Sequence, residues 1–175
     1  MLNPEIQTGR LRLIGLHPDA LEALSQGWEH LEAKLGIKSA DIEIPQEFRN
    51  EMPEGIALCL ARCKRHPADY AWYTNWVIVL TEETRAIGGI GWNGPPDERG
   101  EVFTGYWIDP RYHRRGYMTE AVAAMAAWAF QDPQVRAVTA NTPVENIASQ
   151  RVLLKNGFRQ RGEFEGHPFF VLDRP

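Results

Sequence analysis

The chain has 175 residues, 43% of them hydrophobic, which is enough for one sizeable core and too few to expect two, so a single domain over residues 1–175 is expected. With 19 basic against 23 acidic side chains and a net charge of -4, nothing marks the whole surface for nucleic acid, and any anion site must be local. No run of about eighteen consecutive apolar residues occurs, and the first residues do not join a basic segment to a long apolar one. Neither a membrane nor a nucleic acid is therefore an expected partner, and a cytoplasmic location is expected.

Alternation in RLRLIGL predicts a first strand from Arg10 to Leu16. His17, Pro18 and Asp19 open a helical region that runs to Leu35 and is broken near Gly27 and Gly36. PEGIALCLARCKRH, from Pro53 to His66, sets Ile56, Leu60 and Cys63 on one apolar helical stripe, and Pro67 ends it. Cys59 and Cys63 are the two cysteines. Four apart in that helix, they suit reduced, half-buried thiols rather than a disulfide, and with so few ligands no metal is expected. Three strands follow, Trp72 to Leu80, Arg85 to Trp92 and Glu101 to Ile108, joined by TEET and NGPPDERG. Turns this short require antiparallel neighbours.

From Gly116 the pattern becomes helix, strand, helix, strand. Val122, Met125, Ala126 and Ala129 mark the buried face of a helix that QDPQ stops before the strand VRAVTANT. ENIASQRVLLKNGF predicts a short helix from Asn146, closed by Gly157 in the left-handed cap position. FRQRGEF and PFFVLD finish the chain as a hairpin. The implied fold class is mixed α/β: a central, mostly antiparallel mixed sheet with helices on both faces.

One stretch stands out chemically. In DPRYHRRGYMTEAV, Arg111, His113, Arg114 and Arg115 crowd together just before Gly116 and a helix. A short charge run is commonly a solvated turn. A cationic, glycine-containing turn feeding a helix N-terminus also holds phosphate, because unsatisfied amides and the positive helix end favour an anion by roughly 0.3 to 2 kcal/mol.

GYWIDPRYHRRGYMTEAV, followed at the right distance by NIASQRVLLKNGF, resembles the GCN5-related N-acetyltransferases, in particular the branch containing the ribosomal-protein N-terminal acetyltransferases. The likeness extends from TGRLRL at Thr8 to the last strand. It implies acetyl-CoA as acetyl donor and direct attack by an amine in a ternary complex. The coenzyme A pyrophosphate would lie on the turn, against His113, Arg114, Arg115, Gly116, Tyr117, Met118 and Thr119. Tyr106, Trp107 and Ile108 belong to the strand that would pair with pantetheine and offer an oxyanion a backbone N–H. Asn141 and Asn146 would add contacts to the cofactor, and Ser149 would lie near the thiol as a candidate acid. By plain physics Asn146 also fits an N-cap, and Ser149 a helix serine bonded to a backbone carbonyl.

Three positions depart from the family pattern. His113 stands where Arg or Gln is usual. Met118 stands where a small residue is usual and would crowd the loop unless it points into the core. Phe103 replaces a carboxylate often found in relatives, which leaves Glu101, two residues earlier on the same strand face, as a candidate base acting through water. These departures also support a competing reading, a catalytically inactive acetyl-CoA-binding sensor or interaction module.

The acceptor is expected to be a primary amine, from a protein N-terminus or a small molecule, with a homodimer left open. At pH 7 roughly one lysine amine in 2,500 is neutral against roughly one α-amine in ten, so a site lacking the usual carboxylate favours an α-amine. Trp28, Trp72, Tyr73, Trp76 and Trp92 could wall an acceptor pocket or fill the core.

Overall fold

The computed structural model describes residues 4–175. One mixed sheet carries the strands β1 (Glu5–Gln7), β2 (Leu11–Gly15), β3 (Asn75–Leu80), β4 (Arg85–Trp92), β5 (Glu101–Ile108), β6 (Ala137–Asn141), β7 (Arg159–Phe164) and β8 (His167–Asp173). Their order in space is β1-β2-β3-β4-β5-β6-β8-β7. β5 and β6 pair in parallel and the other neighbours antiparallel. The helices are α1 (Pro18–Gln26), α2 (Trp28–Leu35), α3 (Gln46–Arg49), α4 (Met52–Arg65), α5 (Tyr117–Ala129) and α6 (Ile147–Lys155).

Both faces of the sheet are covered, which is why β3 reads as the nearly unbroken apolar run NWVIVL. Trp76, Ile78 and Leu80 join the core under α5, with Met118, Val122, Met125 and Ala129 from that helix and Leu153 from α6. Val77 and Val79 face the opposite way, into the core formed with Leu21, Leu24, Leu31, Ile56 and Cys63 of α1, α2 and α4. Trp72, Trp76, Trp92 and Trp128 pack ring against ring on the α5 side.

The predicted α1–α2 break falls at Gly27, whose φ of 140° only glycine adopts readily. Gly36 caps α2 in the left-handed region. The strand expected from Trp72 starts at Asn75, because Tyr70–Trp72 form a 3-10 turn that tucks Trp72 into the tryptophan cluster. β1 and α3 have no counterpart among the sequence-based expectations, because three and four residues are too short to show a period. No helix among the described residues is long and apolar enough to cross a membrane.

Candidate active site

The cationic turn is built as an anion nest. Asp109 accepts a hydrogen bond from the Arg111 N–H at the start of a 3-10 turn, Pro110–Tyr112. Arg114 (φ 61°) and Gly116 (φ 79°) then take left-handed conformations, and α5 begins at Tyr117 with no side chain capping it. The backbone N–H groups from Arg114 to Thr119 have no acceptor among the described residues. Successive amides left open at a helix N-terminus, beside the exposed His113, Arg114 and Arg115, are what a phosphate group requires. Met118 is buried, 6% exposed, in the core, so its side chain does not crowd the turn.

Two polar networks fix this turn. Arg10, leading into β2, donates to the Glu120 carboxylate at 2.7 Å and to the Arg115 carbonyl at 3.0 Å, and the Thr8 hydroxyl donates to the same carboxylate at 2.6 Å. Burial works against the charge on Glu120, but Thr8 and Arg10 outweigh it and hold the carboxyl below its ordinary pKa. Asp109 is fully buried. Arg111 grips it through Nε and Nη2, at 3.0 and 2.5 Å, and also donates to the carbonyls of Ala40 and Asp41. The Glu43 N–H donates to the Asp109 carboxylate at 2.9 Å. Burial opposes its charge, yet Arg111 and these backbone donors hold the carboxyl below its usual value.

Beyond the turn, β5 and β6 part. The Phe103 carbonyl accepts from Asn93 N–H, and Asp109 N–H donates to the Ile87 carbonyl, so odd-numbered residues of β5 turn their backbone groups toward β4. Thr104, Tyr106 and Ile108 turn theirs toward β6. Pairing with β6 nevertheless ends at Phe103 and Thr139, although β5 continues to Ile108 and β6 to Asn141. The N–H groups of Tyr106 and Ile108 therefore face a gap between diverging strands.

The α6 N-terminus closes one side of that gap. Asn146 is its N-cap, accepting from the Ser149 N–H at 3.0 Å. The Ser149 hydroxyl lies 3.0 Å from the Tyr106 hydroxyl. Burial pushes the Tyr106 pKa up to about 12, with the Ser149 hydrogen bond pulling the other way, so the phenol keeps its proton at neutral pH.

On the opposite face of β5 lies a cavity of about 490 Å³. Its floor includes Gly89, Gly91 and Gly105, where three strand positions carry no side chain, and its walls include Trp28, Phe48, Met52, Phe103 and Trp107. Trp28 and Trp107 meet edge to face at 6.0 Å. Cys59 also lines the cavity, and burial pushes its thiol upward, against the field of Arg62. Cys63, fully buried, is pushed up to about 11 by burial. Both thiols stay protonated at neutral pH.

Residues 10–159 match a family model described as the acetyltransferase (GNAT) domain. The chain belongs to the GNAT acetyltransferase family. The uncharacterized N-acetyltransferase YjdG of Bacillus subtilis is 28% identical over 153 residues, spanning 87% of this chain and 88% of the relative. Among solved structures, the ribosomal L7/L12 alpha-N-protein acetyltransferase RimL in complex with coenzyme A aligns with a TM-score of 0.68 at 18% identity, over 97% of this chain and 98% of that one. An acetyltransferase from Salmonella typhimurium, described as modifying the N-terminal serine of ribosomal protein L7/L12, aligns with a TM-score of 0.67 at 19% identity, over 98% and 100% of the two chains. At such identities these structures share the GNAT fold.

Within this GNAT chain the residues singled out by sequence fall into separate groups. His113 to Thr119 form the turn, while Tyr106, Asn146 and Ser149 meet at the gap and Asn141 ends β6 beside it. Trp107 turns its ring to the cavity, where its Nε1 lies 2.8 Å from where a Cβ on Gly89 would be. Glu101 opens β5 with its carboxylate ion-paired to Arg161 at 2.6 Å. Of the five aromatic candidates, Trp28 lines the cavity, Trp72, Trp76 and Trp92 fill the α5-side core with Trp76 and Trp92 also bordering the cavity, and Tyr73 stacks on His66. Arg10, Asp109, Phe48 and Gly55 were not singled out. The Asp-Pro-Arg string was a local signal for the Asp109 cap, whereas the others depend on distant partners.

Proposed function

We propose that the chain is an acetyl-CoA-dependent N-acetyltransferase that passes acetyl to a primary amine, a peptide N-terminal α-amine or a small-molecule amine, by direct attack. The observation that carries this is a juxtaposition across one strand. An anion nest and a hydroxyl pair lie on the α5–α6 side of β5, an aromatic cavity lies on the other, and the two sides adjoin at Gly105 and Tyr106. A long donor with a diphosphate at one end and a reactive group at the other fits the first side, and an amine fits the second.

Acetyl-CoA supplies an acetyl group activated as a thioester. The open N–H groups from Arg114 to Thr119, with His113, Arg114 and Arg115, bind the pyrophosphate. The Tyr106 N–H, turned into the gap, receives the negative charge that grows on the carbonyl oxygen, an interaction of the oxyanion-hole type. As the C–N bond forms and the C–S bond breaks, the Ser149 hydroxyl gives its proton to sulfur and is resupplied from the Tyr106 hydroxyl, while the proton shed by the attacking nitrogen passes to water and water restores the Tyr106 phenol. An α-amine reaches the site neutral at a cost of about 1 to 1.4 kcal/mol at pH 7, modest enough for its proton to leave through water.

Release of free coenzyme A thiol tests the reading directly, measured with acetyl-CoA and an α-amine such as an amino-acid amide. Saturable, amine-dependent release with an N-acetylated product is expected. Binding of acetyl-CoA without transfer to any amine would instead establish a non-catalytic module.

A further inference from the structure

The cavity next to Gly105 has a composition that selects among amines, and the selection rests on the acetyl-transfer reading above. The face of α4 toward it carries Met52, Gly55, Ile56 and Cys59, spaced as one helical stripe. Gly55 is the unusual member. A glycine inside a helix is unfavourable compared with alanine, yet a Cβ built there meets nothing within 4 Å. No contact demands the glycine. What its missing side chain leaves is room in the cavity, and a Cβ on Gly105, across the cavity on the sheet, also meets nothing within 4 Å.

The surfaces around that room are apolar. Trp28, Phe48, Phe103 and Trp107 present aromatic groups, and Leu24 and Met52 add aliphatic ones. Glu51 is the single charged side chain among the lining residues, and it is solvent-exposed at the start of α4. Thr74, Asn75, Asn93 and Tyr106 are the neutral polar members; the Thr74 hydroxyl donates to the Leu16 carbonyl, the Tyr106 hydroxyl pairs with Ser149, and the Arg62 guanidinium holds the Asn93 side-chain oxygen at 3.1 Å. A second positive charge on an acceptor would therefore be desolvated here without a buried counter-ion, which is costly. A large uncharged side chain would find aromatic partners and displace weakly held water.

We infer that this cavity binds the uncharged, apolar side chain of the acceptor, so that the preferred substrate is an α-amine carrying an aromatic or large aliphatic group, whether a free amino-acid derivative or the first residue of a peptide. Phe103, occupying the cavity wall, and the glycines at positions 55 and 105 set this preference.

The test compares acceptors that share one amine and differ only in side chain: phenylalaninamide, leucinamide, glycinamide, serinamide and lysinamide, with a phenylalanine-initiated tripeptide to separate free amine from chain terminus. The expected kcat/KM for phenylalaninamide and leucinamide exceeds that for glycinamide, serinamide and lysinamide by about 10- to 200-fold, the range one or more buried methylenes give in an apolar pocket. The variant Gly55→Leu fills the space with a better helix former and is expected to keep or raise Tm. Its kcat/KM should fall at least about tenfold for phenylalaninamide and change little for glycinamide. Equal or better use of lysinamide or serinamide, or a Gly55→Leu loss shared by every acceptor, would overturn the inference while leaving acetyl transfer intact. Transfer to none of them, with acetyl-CoA bound, would overturn both.

Discussion

The Tyr106 hydroxyl lies 3.0 Å from the Ser149 hydroxyl and so joins the fifth strand to the first turn of the last helix at the point where β5 and β6 separate. Ser149 also donates its backbone N–H to the Asn146 cap. Its position is therefore fixed by the helix start, and its hydroxyl bonds a side chain from another element. In the proposed transfer this pair, with its phenol kept protonated by burial, is the proton donor to the leaving thiolate.

Replacement at this pair separates chemistry from binding. Ser149→Ala is expected to lower kcat about 100-fold, the lower end of what a positioned general acid contributes, with the dissociation constant for acetyl-CoA changed less than about threefold. Tyr106→Phe should lower kcat by a smaller factor. With the Tyr106 pKa near 12, neither the wild-type pH–rate profile nor that of Ser149→Ala should show a tyrosine titration below about pH 10. Unchanged kcat in Ser149→Ala would leave the serine a structural role only.

Gly116 has a φ of 79°, and a Cβ there would approach Arg10 Nη2 at 3.5 Å. Gly116→Glu places strain and a negative charge at the mouth of the anion nest. Isothermal titration is expected to show acetyl-CoA affinity reduced at least about tenfold, and unchanged affinity would remove the turn as the phosphate site.

Asp109 ties the segment from Ala40 to Glu43 to the cationic turn through Arg111. Asp109→Asn loses charge-assisted hydrogen bonds worth roughly 2 to 3 kcal/mol, a fall in Tm of roughly 4 to 12 °C for a domain of this size. The folded state lowers the Asp109 pKa. Its contribution is therefore present above the unfolded value near 3.9 and is lost as pH falls through the folded one. Between about pH 5 and pH 3 the wild type should lose more stability than the variant, as followed by thermal melts.

What could be read from the sequence was what lies contiguous in it. The turn from His113 to Thr119, the α5 face of Val122, Met125, Ala126 and Ala129, and the Asn146 cap each depend on residues within a turn or two of one another, so local spacing exposes them. The cavity does not have this property. Its lining comes from α1, α2, α3, α4 and three strands, and Gly55 and Gly105 acquire meaning only when the sheet sets them on opposite sides of one space. Glu101 illustrates the same limit, since strand alternation shared its face with Phe103 but gave no sign of Arg161, sixty residues away, with which it pairs. Met118 was legible as a departure from the family pattern, and its burial depends on how α5 lies against the sheet.

The most direct test of the central claim is thermal unfolding with and without acetyl-CoA, with ATP as the phosphate control. At about 100 times the dissociation constant a ligand stabilises the native state by roughly 2.7 kcal/mol, which should raise Tm by roughly 5 to 11 °C. That rise with acetyl-CoA, absent with ATP, is the expected result. No rise at any acetyl-CoA concentration would contradict binding at the Arg114 to Thr119 turn, and with it the acetyltransferase mechanism.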